Sequence, residues 1–275
     1  MPDTNTIEKI KRAANEIRVD IVKQVYFAGS GHPGGSLSAA DILAALYFHE
    51  MDIDPAKPAK AGRDRFVLSK GHAAPVLYAA LAERGFFPKD ELWKLRSIGA
   101  MLQGHPSRKT TPGVEMSTGS LGQGFSVSVG MALASRIDGA GRVYTLLGDG
   151  ELEEGLVWEA AMAAGHYKLD NLCAVIDWNG LQIDGKNDDV MTVAPVDEKF
   201  RSFGFNTLLI DGHSIPEIIG AFDAARRTKG RPTAIVAKTV KGKGVKFMEN
   251  EAGWHGKAPS EEETKKALEE LGGEL

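Results

Sequence analysis

Residues 143–150 read VYTLLGDG and residues 172–179 read LCAVIDWN, and these two stretches determine the fold that we predict. Each begins with an apolar run that is typical of a buried strand, and residues 154–166 between them are predicted to form a helix. In a parallel strand–helix–strand unit both strands end at the same edge of the sheet. We therefore expect Asp149 and Asn179 to lie together at that edge.

The residues that follow these two strands have the chemistry of a metal–diphosphate site. The carboxylate of Asp149 and the amide oxygen of Asn179 are ligands that a hard divalent cation such as Mg²⁺ prefers. Gly150 allows backbone N–H groups to approach a phosphate closely, at the start of a helix whose dipole favours anions. The pattern therefore predicts that this edge of the sheet holds a divalent cation and a diphosphate.

The remainder of the chain continues the alternation of strands and helices. Residues 66–69, 207–210 and 233–239 are predicted strands, and residues 121–136 form a predicted helix rich in Gly, Ser and Ala. There is no internal repeat or evident linker in the sequence. We predict an α/β fold with a largely parallel sheet flanked by helices, with residues 1–275 forming a single domain.

Composition excludes several classes of protein. The net charge is −4, from 33 basic and 37 acidic residues, which argues against nucleic acid or an anionic membrane as the main partner. Cys173 is the only cysteine and lies in a predicted buried strand, so we interpret it as a core residue. No apolar run approaches the roughly 18 residues of a membrane span, and no signal sequence is evident, so we expect a cytoplasmic protein without membrane partners.

Four of the seven histidines lie in loops flanked by glycine, namely His32, His72, His105 and His255. His72 follows a predicted strand, so it should join Asp149 at the ligand edge. A neutral histidine can donate or accept a proton, and a group of them would suit a polyhydroxylated substrate whose protons must move.

The GDG segment followed by Asn179 resembles the thiamine diphosphate signature, and the whole chain resembles transketolases. Six segments occur in that family's order: 30–38 (SGHPGGSLS), 66–73 (FVLSKGHA), 104–106 (GHP), 117–124 (STGSLGQG), 148–154 (GDGELEE) and 254–256 (WHG). The resemblance implies the pyrophosphate-binding fold of thiamine diphosphate enzymes, with Mg²⁺, or Ca²⁺ or Mn²⁺, as the accompanying metal.

The resemblance also implies roles for individual residues. The implied metal ligands are the side chains of Asp149 and Asn179 and the carbonyl oxygen of Leu181. The residues implied to bind the cofactor are His72, Gly119, Leu121, Gly150, Glu159, Asn179 and His255. The implied catalytic residues, which would move protons at the substrate, are His32, His72, His105 and His255. Glu154 and Glu159 match acidic residues that the family places at the subunit contact near the cofactor.

No segment resembles the family's pyrimidine-binding domain, which supplies a glutamate that hydrogen-bonds to the aminopyrimidine ring. We therefore expect the N-terminal subunit of a split transketolase. Its partner would be a C-terminal subunit, in an α2β2 heterotetramer that transfers a two-carbon ketol unit between sugar phosphates. Two alternatives are another thiamine diphosphate carboligase, such as a deoxyxylulose-phosphate synthase-like enzyme, and a non-catalytic diphosphate-binding module. The histidine set favours transketolase.

Overall fold

The computed structural model describes residues 3–275, and these residues contain the predicted parallel sheet. The described residues form seven strands: β1 (Arg65–Leu68), β2 (Val143–Gly148), β3 (Leu172–Trp178), β4 (Leu181–Gln182), β5 (Gly185–Lys186), β6 (Asn206–Asp211) and β7 (Thr233–Lys238). Five of them pair in parallel, in the order β1-β2-β3-β7-β6. The other two, β4 and β5, form a small antiparallel hairpin directly after Asn179.

The helices of residues 3–275 cover both faces of the sheet. They are α1 (Thr4–Ala28), α2 (Pro33–Ser38), α3 (Ala40–Ala45), α4 (Ala74–Glu83), α5 (Gln123–Asp138), α6 (Gly155–His166), α7 (Asn187–Val190), α8 (Val196–Ser202), α9 (Ile215–Arg227) and α10 (Glu261–Leu271). A π-helical turn at Leu46–Glu50 continues α3, and a 3₁₀ turn at Gly150–Glu153 precedes α6.

Two apolar cores lie on opposite faces of the sheet because side chains alternate along each strand. Tyr144 and Leu146 of β2 pack in the core formed with α1, α3, α4, α9 and α10. Val143 and Leu147 of the same strand pack in the second core, which is formed with α5, α6 and α8. Every residue of β2 is therefore buried, as expected for a central strand of a parallel sheet.

The long helix α1 follows from its apolar spacing. Its buried side chains include Ile10, Ala14, Ile17 and Ile21, which recur every three or four residues on one face. The side chain of Asp3 caps its first turn by accepting a hydrogen bond from the N–H of Thr6 at 2.9 Å. Among the described helices, none combines the length and the apolar character needed to cross a membrane.

Candidate functional site

The register of the sheet brings the two predicted ligand residues to one edge. Gly148, the last residue of β2, is paired with Asp177 of β3. Asp149 and Asn179 therefore follow neighbouring strand ends, as the sequence predicts. Both line a cavity of about 220 Å³.

The cavity contains most of the residues that the sequence singled out. Its lining includes His32, His72, Gly119, Leu121, Asp149, Gly150, Asn179, Leu181 and His255. It also includes Lys70, Glu151 and Lys241, to which the sequence analysis assigned no role. His105 and Glu159 are not part of this lining.

Asp149 is 3% exposed, and both of its carboxylate oxygens accept backbone hydrogen bonds. Oδ1 accepts from the N–H of Gly150 at 2.9 Å, and Oδ2 accepts from the N–H of Gly180 at 2.5 Å. Burial, followed by the nearby Asp177 carboxylate, raises the pKa of Asp149 to about 6. A carboxylate oxygen can accept a second partner, so Asp149 retains the capacity to bind a cation.

The other two predicted metal ligands lie next to Asp149. Oδ1 of Asn179 accepts a hydrogen bond from the N–H of Leu181 at 3.1 Å. The carbonyl oxygen of Leu181 accepts one from Nζ of Lys241, also at 3.1 Å. Within residues 3–275, no three His, Cys, Asp or Glu side chains form a group that could hold a metal ion. The one carboxylate, one amide and one carbonyl are all oxygen donors, which fits a hard cation such as Mg²⁺, Ca²⁺ or Mn²⁺ better than a softer metal that prefers sulfur or nitrogen.

The four predicted histidines come together although they lie on four separate segments. The ring centroids of His32 and His72 are 5.3 Å apart, and those of His72 and His255 are 5.1 Å apart. His32 lies 5.5 Å from His255 and 6.5 Å from His105. His105 therefore belongs to the cluster, although it lies outside the cavity lining.

Burial keeps this cluster uncharged at neutral pH. Burial first, then the Arg96 guanidinium, lowers the pKa of His32 to about 4. Burial and the Lys241 ammonium lower the pKa of His255 to about 3. Burial, followed by the Lys70 ammonium, lowers the pKa of His72 well below its ordinary value. The rings can therefore act as neutral donors and acceptors of protons.

The histidine cluster should contribute less to the stability of the fold as the pH falls below about 6.5, the ordinary histidine pKa. The folded chain resists protonation of His32, His72 and His255, whereas the unfolded chain takes up those protons. Uptake of these protons by the unfolded chain therefore lowers the free energy of unfolding as the pH falls, until the pKa of each histidine in the folded chain is reached. Denaturant titrations between about pH 7 and pH 5 should show a smaller loss of stability for His32→Asn than for the unsubstituted chain. Equal losses would contradict this assignment.

Lys70, which lines the cavity, forms a buried ion pair with Asp177. Lys70 is 1% exposed and Asp177 is fully buried. Nζ of Lys70 donates to the carboxylate of Asp177 and to the carbonyl oxygen of Gly35, the latter at 2.7 Å. Ser38 donates to the same carboxylate at 2.6 Å. Although burial raises the pKa of Asp177, the Lys70 ammonium holds it below its usual value.

Lys241 is a second buried lysine, and none of the described residues forms an ion pair with it. It is 2% exposed, and among residues 3–275 no carboxylate lies within ion-pair distance of its ammonium. Besides the Leu181 carbonyl, Nζ contacts Nδ1 of His255 at 3.1 Å. Burial, then Lys70, lowers the pKa of Lys241 to about 8. A buried cation without a counter-ion is costly, so this arrangement fits the binding of an anion such as a diphosphate in the cavity.

The two acidic residues of the predicted subunit contact lie outside the cavity. Glu154 occupies the N-cap position of α6, and Glu159 lies one turn further along that helix. Both are exposed in the single chain. Of the residues assigned to the cofactor by resemblance, Glu159 is the one that the structure of this chain does not bring to the cavity wall.

The sequence that forms this cavity matches a known protein family along nearly its whole length. The family described as "Transketolase, thiamine diphosphate binding domain" matches residues 9–274. The chain belongs to the transketolase family. The resemblance inferred from the six sequence segments is thereby confirmed, and thiamine diphosphate is the cofactor that this transketolase domain binds.

Similar proteins include proteins named as transketolase subunits and longer proteins named as transketolases. The chain is 47% identical to the 6-deoxy-6-sulfo-D-fructose transketolase subunit SqwG of Clostridium sp. (strain MSTE9), covering 95% of this chain and 96% of that subunit. It is 42% identical to an apulose-4-phosphate transketolase subunit of Phocaeicola vulgatus, covering 96% and 94%. It is 44% identical to mouse transketolase, covering 98% of this chain but only 43% of that protein.

Solved structures of transketolases share this fold. Transketolase from Leishmania mexicana superimposes with a TM-score of 0.91 at 32% identity, over 96% of this chain and 41% of that one. Transketolase from Campylobacter jejuni gives a TM-score of 0.87 at 33% identity, over 99% and 44%. The predicted α/β fold class is therefore confirmed, and the chain spans less than half the length of these full-length relatives.

Proposed function

We propose that the chain is the N-terminal subunit of a two-chain transketolase, which transfers a two-carbon ketol unit from a ketose phosphate to an aldose phosphate. The observation that carries this proposal is the cluster of neutral histidines beside the cavity that holds Asp149 and Lys241. Ketol transfer is the reaction of the family. SqwG and the apulose-4-phosphate relative are both named as subunits and match this chain along almost their whole length, which supports the split arrangement.

The cavity contains groups that would hold thiamine diphosphate and a divalent metal. Asp149, Asn179 and the Leu181 carbonyl would hold Mg²⁺, or Ca²⁺ or Mn²⁺ in its place. His72 and Lys241 would hold the diphosphate, because a buried ammonium favours an anion. Gly150 would allow the diphosphate to approach the backbone closely, because it has no side chain. Gly119 and Leu121 would line the side of the cavity that faces the rings of the cofactor. When bound, the cofactor supplies the nucleophile and the electron sink for cleavage of a carbon–carbon bond.

The histidines would act on the substrate. Because His32, His72 and His255 are neutral at pH 7, each can accept a proton from a substrate hydroxyl or donate one to it. Nδ1 of His32 is buried and has no hydrogen-bond partner among the described residues. An unpaired buried polar atom is costly, so it would favour a ligand that offers it a partner.

His32→Ala or His105→Ala should lower kcat of the assembled enzyme by about 10²–10⁴-fold, the usual contribution of a positioned proton donor or acceptor. Cofactor affinity should change much less, because neither side chain is among the groups assigned to the diphosphate or the metal. Steady-state kinetics together with calorimetric titration of thiamine diphosphate measures both quantities. His49→Ala, an exposed histidine outside the cluster, is the matched control. Unchanged turnover in both cluster variants would rule out their substrate-facing role.

The partner in this proposal is a C-terminal subunit that carries the pyrimidine-binding domain. Two copies of each chain would form an α2β2 heterotetramer, since closed symmetry is the rule for such assemblies. Glu154 and Glu159 would lie at the subunit contact, which is consistent with their exposure in the single chain. Residues 1–275 would act as one domain, because the five parallel strands form one continuous sheet.

Co-expression with a candidate C-terminal chain tests the proposed function. The purified complex is assayed for thiamine-dependent ketol transfer among sugar phosphates and, because one relative is named for a sulfonated fructose, among sugar sulfonates. We expect transfer for at least one donor and acceptor pair. Stable assembly without transfer from any of them would contradict the proposal and favour a non-catalytic role.

A further inference from the structure

The backbone on both sides of Lys241 is held by side chains that lie outside the cavity. Nε2 of His213 accepts a hydrogen bond from the N–H of Val240 at 2.9 Å. Nε of Arg18 donates to the carbonyl oxygen of Lys243 at 3.1 Å. The buried lysine that faces the cavity therefore lies between two backbone contacts, one just before it and one two residues after it.

Asp41 joins these two side chains to each other. Its Oδ2 accepts a hydrogen bond from Nδ1 of His213 at 2.8 Å, and its carboxylate accepts two more from the guanidinium of Arg18. Asp41 and Arg18 are 7% and 8% exposed. Although burial raises the pKa of Asp41, the bonds from His213 and Arg18 hold it below its usual value. The carboxylate therefore stays ionised and bound to both partners.

This bonding also fixes the tautomer of His213. Asp41 is an acceptor only, so Nδ1 of His213 carries the hydrogen and Nε2 is left free to accept from Val240. His213 lies in the turn after β6, and the residues around it in the sequence give no sign of a functional role. Its ring is only partly exposed. The two residues to which it is hydrogen-bonded, Asp41 and Val240, are distant from it in the sequence.

Two glycines allow the loops to approach this closely. A Cβ atom at Gly212 would lie 2.5 Å from Cγ2 of Thr239, and the N–H of Gly212 donates to the carbonyl of Lys238 at 2.7 Å. Gly244 has φ +95°, and a Cβ atom there would lie 3.0 Å from Cδ of Arg18. The turn after β6 and the helix α1 therefore both lie directly against the segment that carries Lys241.

We propose that Arg18, Asp41 and His213 form a clamp that positions Lys241 for the diphosphate of the cofactor. The inference rests on the proposed function, since it assigns that anion to Lys241. His213 is a positioning residue: it acts through the Val240 backbone and does not line the cavity. Arg18 and Asp41 come from α1 and α3, so the clamp ties the ammonium in the cavity to the packing of these two helices.

Three substitutions at His213 separate this role from a merely structural one. His213→Phe removes both hydrogen bonds while keeping a ring. His213→Gln keeps an acceptor near the position of Nε2, and His213→Asn keeps a donor near the position of Nδ1. In the complex with the C-terminal subunit, His213→Phe should weaken thiamine diphosphate binding by about 10–100-fold, the usual effect of losing an outer contact to a binding group. Gln should restore most of the affinity and Asn little of it, whereas a role limited to satisfying Asp41 would give the opposite order.

Substitution of the lysine itself, Lys241→Met, tests whether His213 affects cofactor binding through Lys241. Combined with Lys241→Met, His213→Phe should cause no further loss of affinity, because the group that it positions is gone. His49→Phe, at an exposed position, is the matched control and should bind as the unsubstituted complex does. Additive losses in the double variant, or unchanged affinity in His213→Phe while Lys241→Met weakens binding, would overturn the clamp.

Amide hydrogen exchange of the cofactor-free complex tests the clamp without any ligand. The Val240 and Lys241 amides should exchange faster in His213→Phe than in the unsubstituted complex, and His213→Gln should restore their protection. Equal protection in all variants would overturn the inference. A complex that binds no thiamine diphosphate at all would overturn the proposed function instead, and the exchange of Val240 would still decide whether the clamp exists.

Discussion

Asp149→Ala should abolish metal-dependent binding of thiamine diphosphate by the assembled enzyme. Asp149 is the only carboxylate among the three predicted metal ligands of this chain, and a hard divalent cation depends on such a charge. Its loss should also leave the N–H groups of Gly150 and Gly180 without the acceptors that they now have. Calorimetric titration of the cofactor in the presence of Mg²⁺ measures the effect directly.

The control for this prediction is Asp189→Ala, which removes an exposed carboxylate outside the cavity. It should bind the cofactor as the unsubstituted complex does. The far-ultraviolet circular dichroism of Asp149→Ala should also match the unsubstituted chain, since removing one carboxylate at a strand end leaves both apolar cores unchanged. Unchanged cofactor affinity in Asp149→Ala would show that the metal site lies elsewhere.

The 275-residue chain by itself should show no ketol transfer and only weak binding of thiamine diphosphate. It supplies the diphosphate side of the cofactor site. Glu151 is the only glutamate among the described residues that line the cavity, and its carboxylate already accepts hydrogen bonds from Ser69, Gly122 and Gly148. The glutamate that the family uses on the aminopyrimidine side would therefore come from the partner. Addition of the C-terminal chain should restore activity, with saturation at equal amounts of the two chains. Activity titrations at a fixed concentration of one chain measure this dependence. Robust thiamine-dependent turnover by the isolated chain would overturn the two-chain proposal.

The outer face of α5 offers a sharper test of the same assembly. Gly130 lies in the middle of this helix, is exposed, and has no other atom within 4 Å of the position that a Cβ would take. Glycine destabilises an exposed helix interior by about 1 kcal/mol relative to alanine. Its presence in α5 therefore fits the close approach of a partner chain. Gly130→Leu should leave the chain folded but block assembly. Interfaces of obligate complexes commonly bury more than about 2,000 Å². A leucine side chain added inside such an interface would keep the two chains from packing together.

Gly220 provides the matched control for this substitution. It lies within α9, is also exposed and also has free space around its Cβ position. Because α9 packs in the core on the opposite face of the sheet from α5, Gly220→Leu should assemble normally. Analytical ultracentrifugation of mixtures with the C-terminal chain distinguishes the two variants. Normal assembly of Gly130→Leu would exclude the outer face of α5 from the interface.

Much of this site could be predicted from the sequence because it depends on backbone direction. The apolar runs before Asp149 and Asn179 indicate parallel strands, and parallel strands place their carboxyl ends at one edge whatever the rest of the chain does. His72 follows β1 for the same reason. The glycines beside the histidines show that these loops approach other atoms closely, as Gly71 does to Gly119.

The sequence by itself therefore determined the fold class, the edge that carries the site and the family. It did not show that Lys70 is paired with Asp177 while Lys241 has no counter-ion among residues 3–275, since both are lysines beside glycines in the sequence. It also gave no sign that the ring of His213 joins Asp41 to the backbone of Val240. These features depend on which distant loops pack against each other and on how far burial removes each charge from water. Patterns of neighbouring residues encode the path of the backbone, whereas the partners of a buried polar side chain exist only once the tertiary structure has formed.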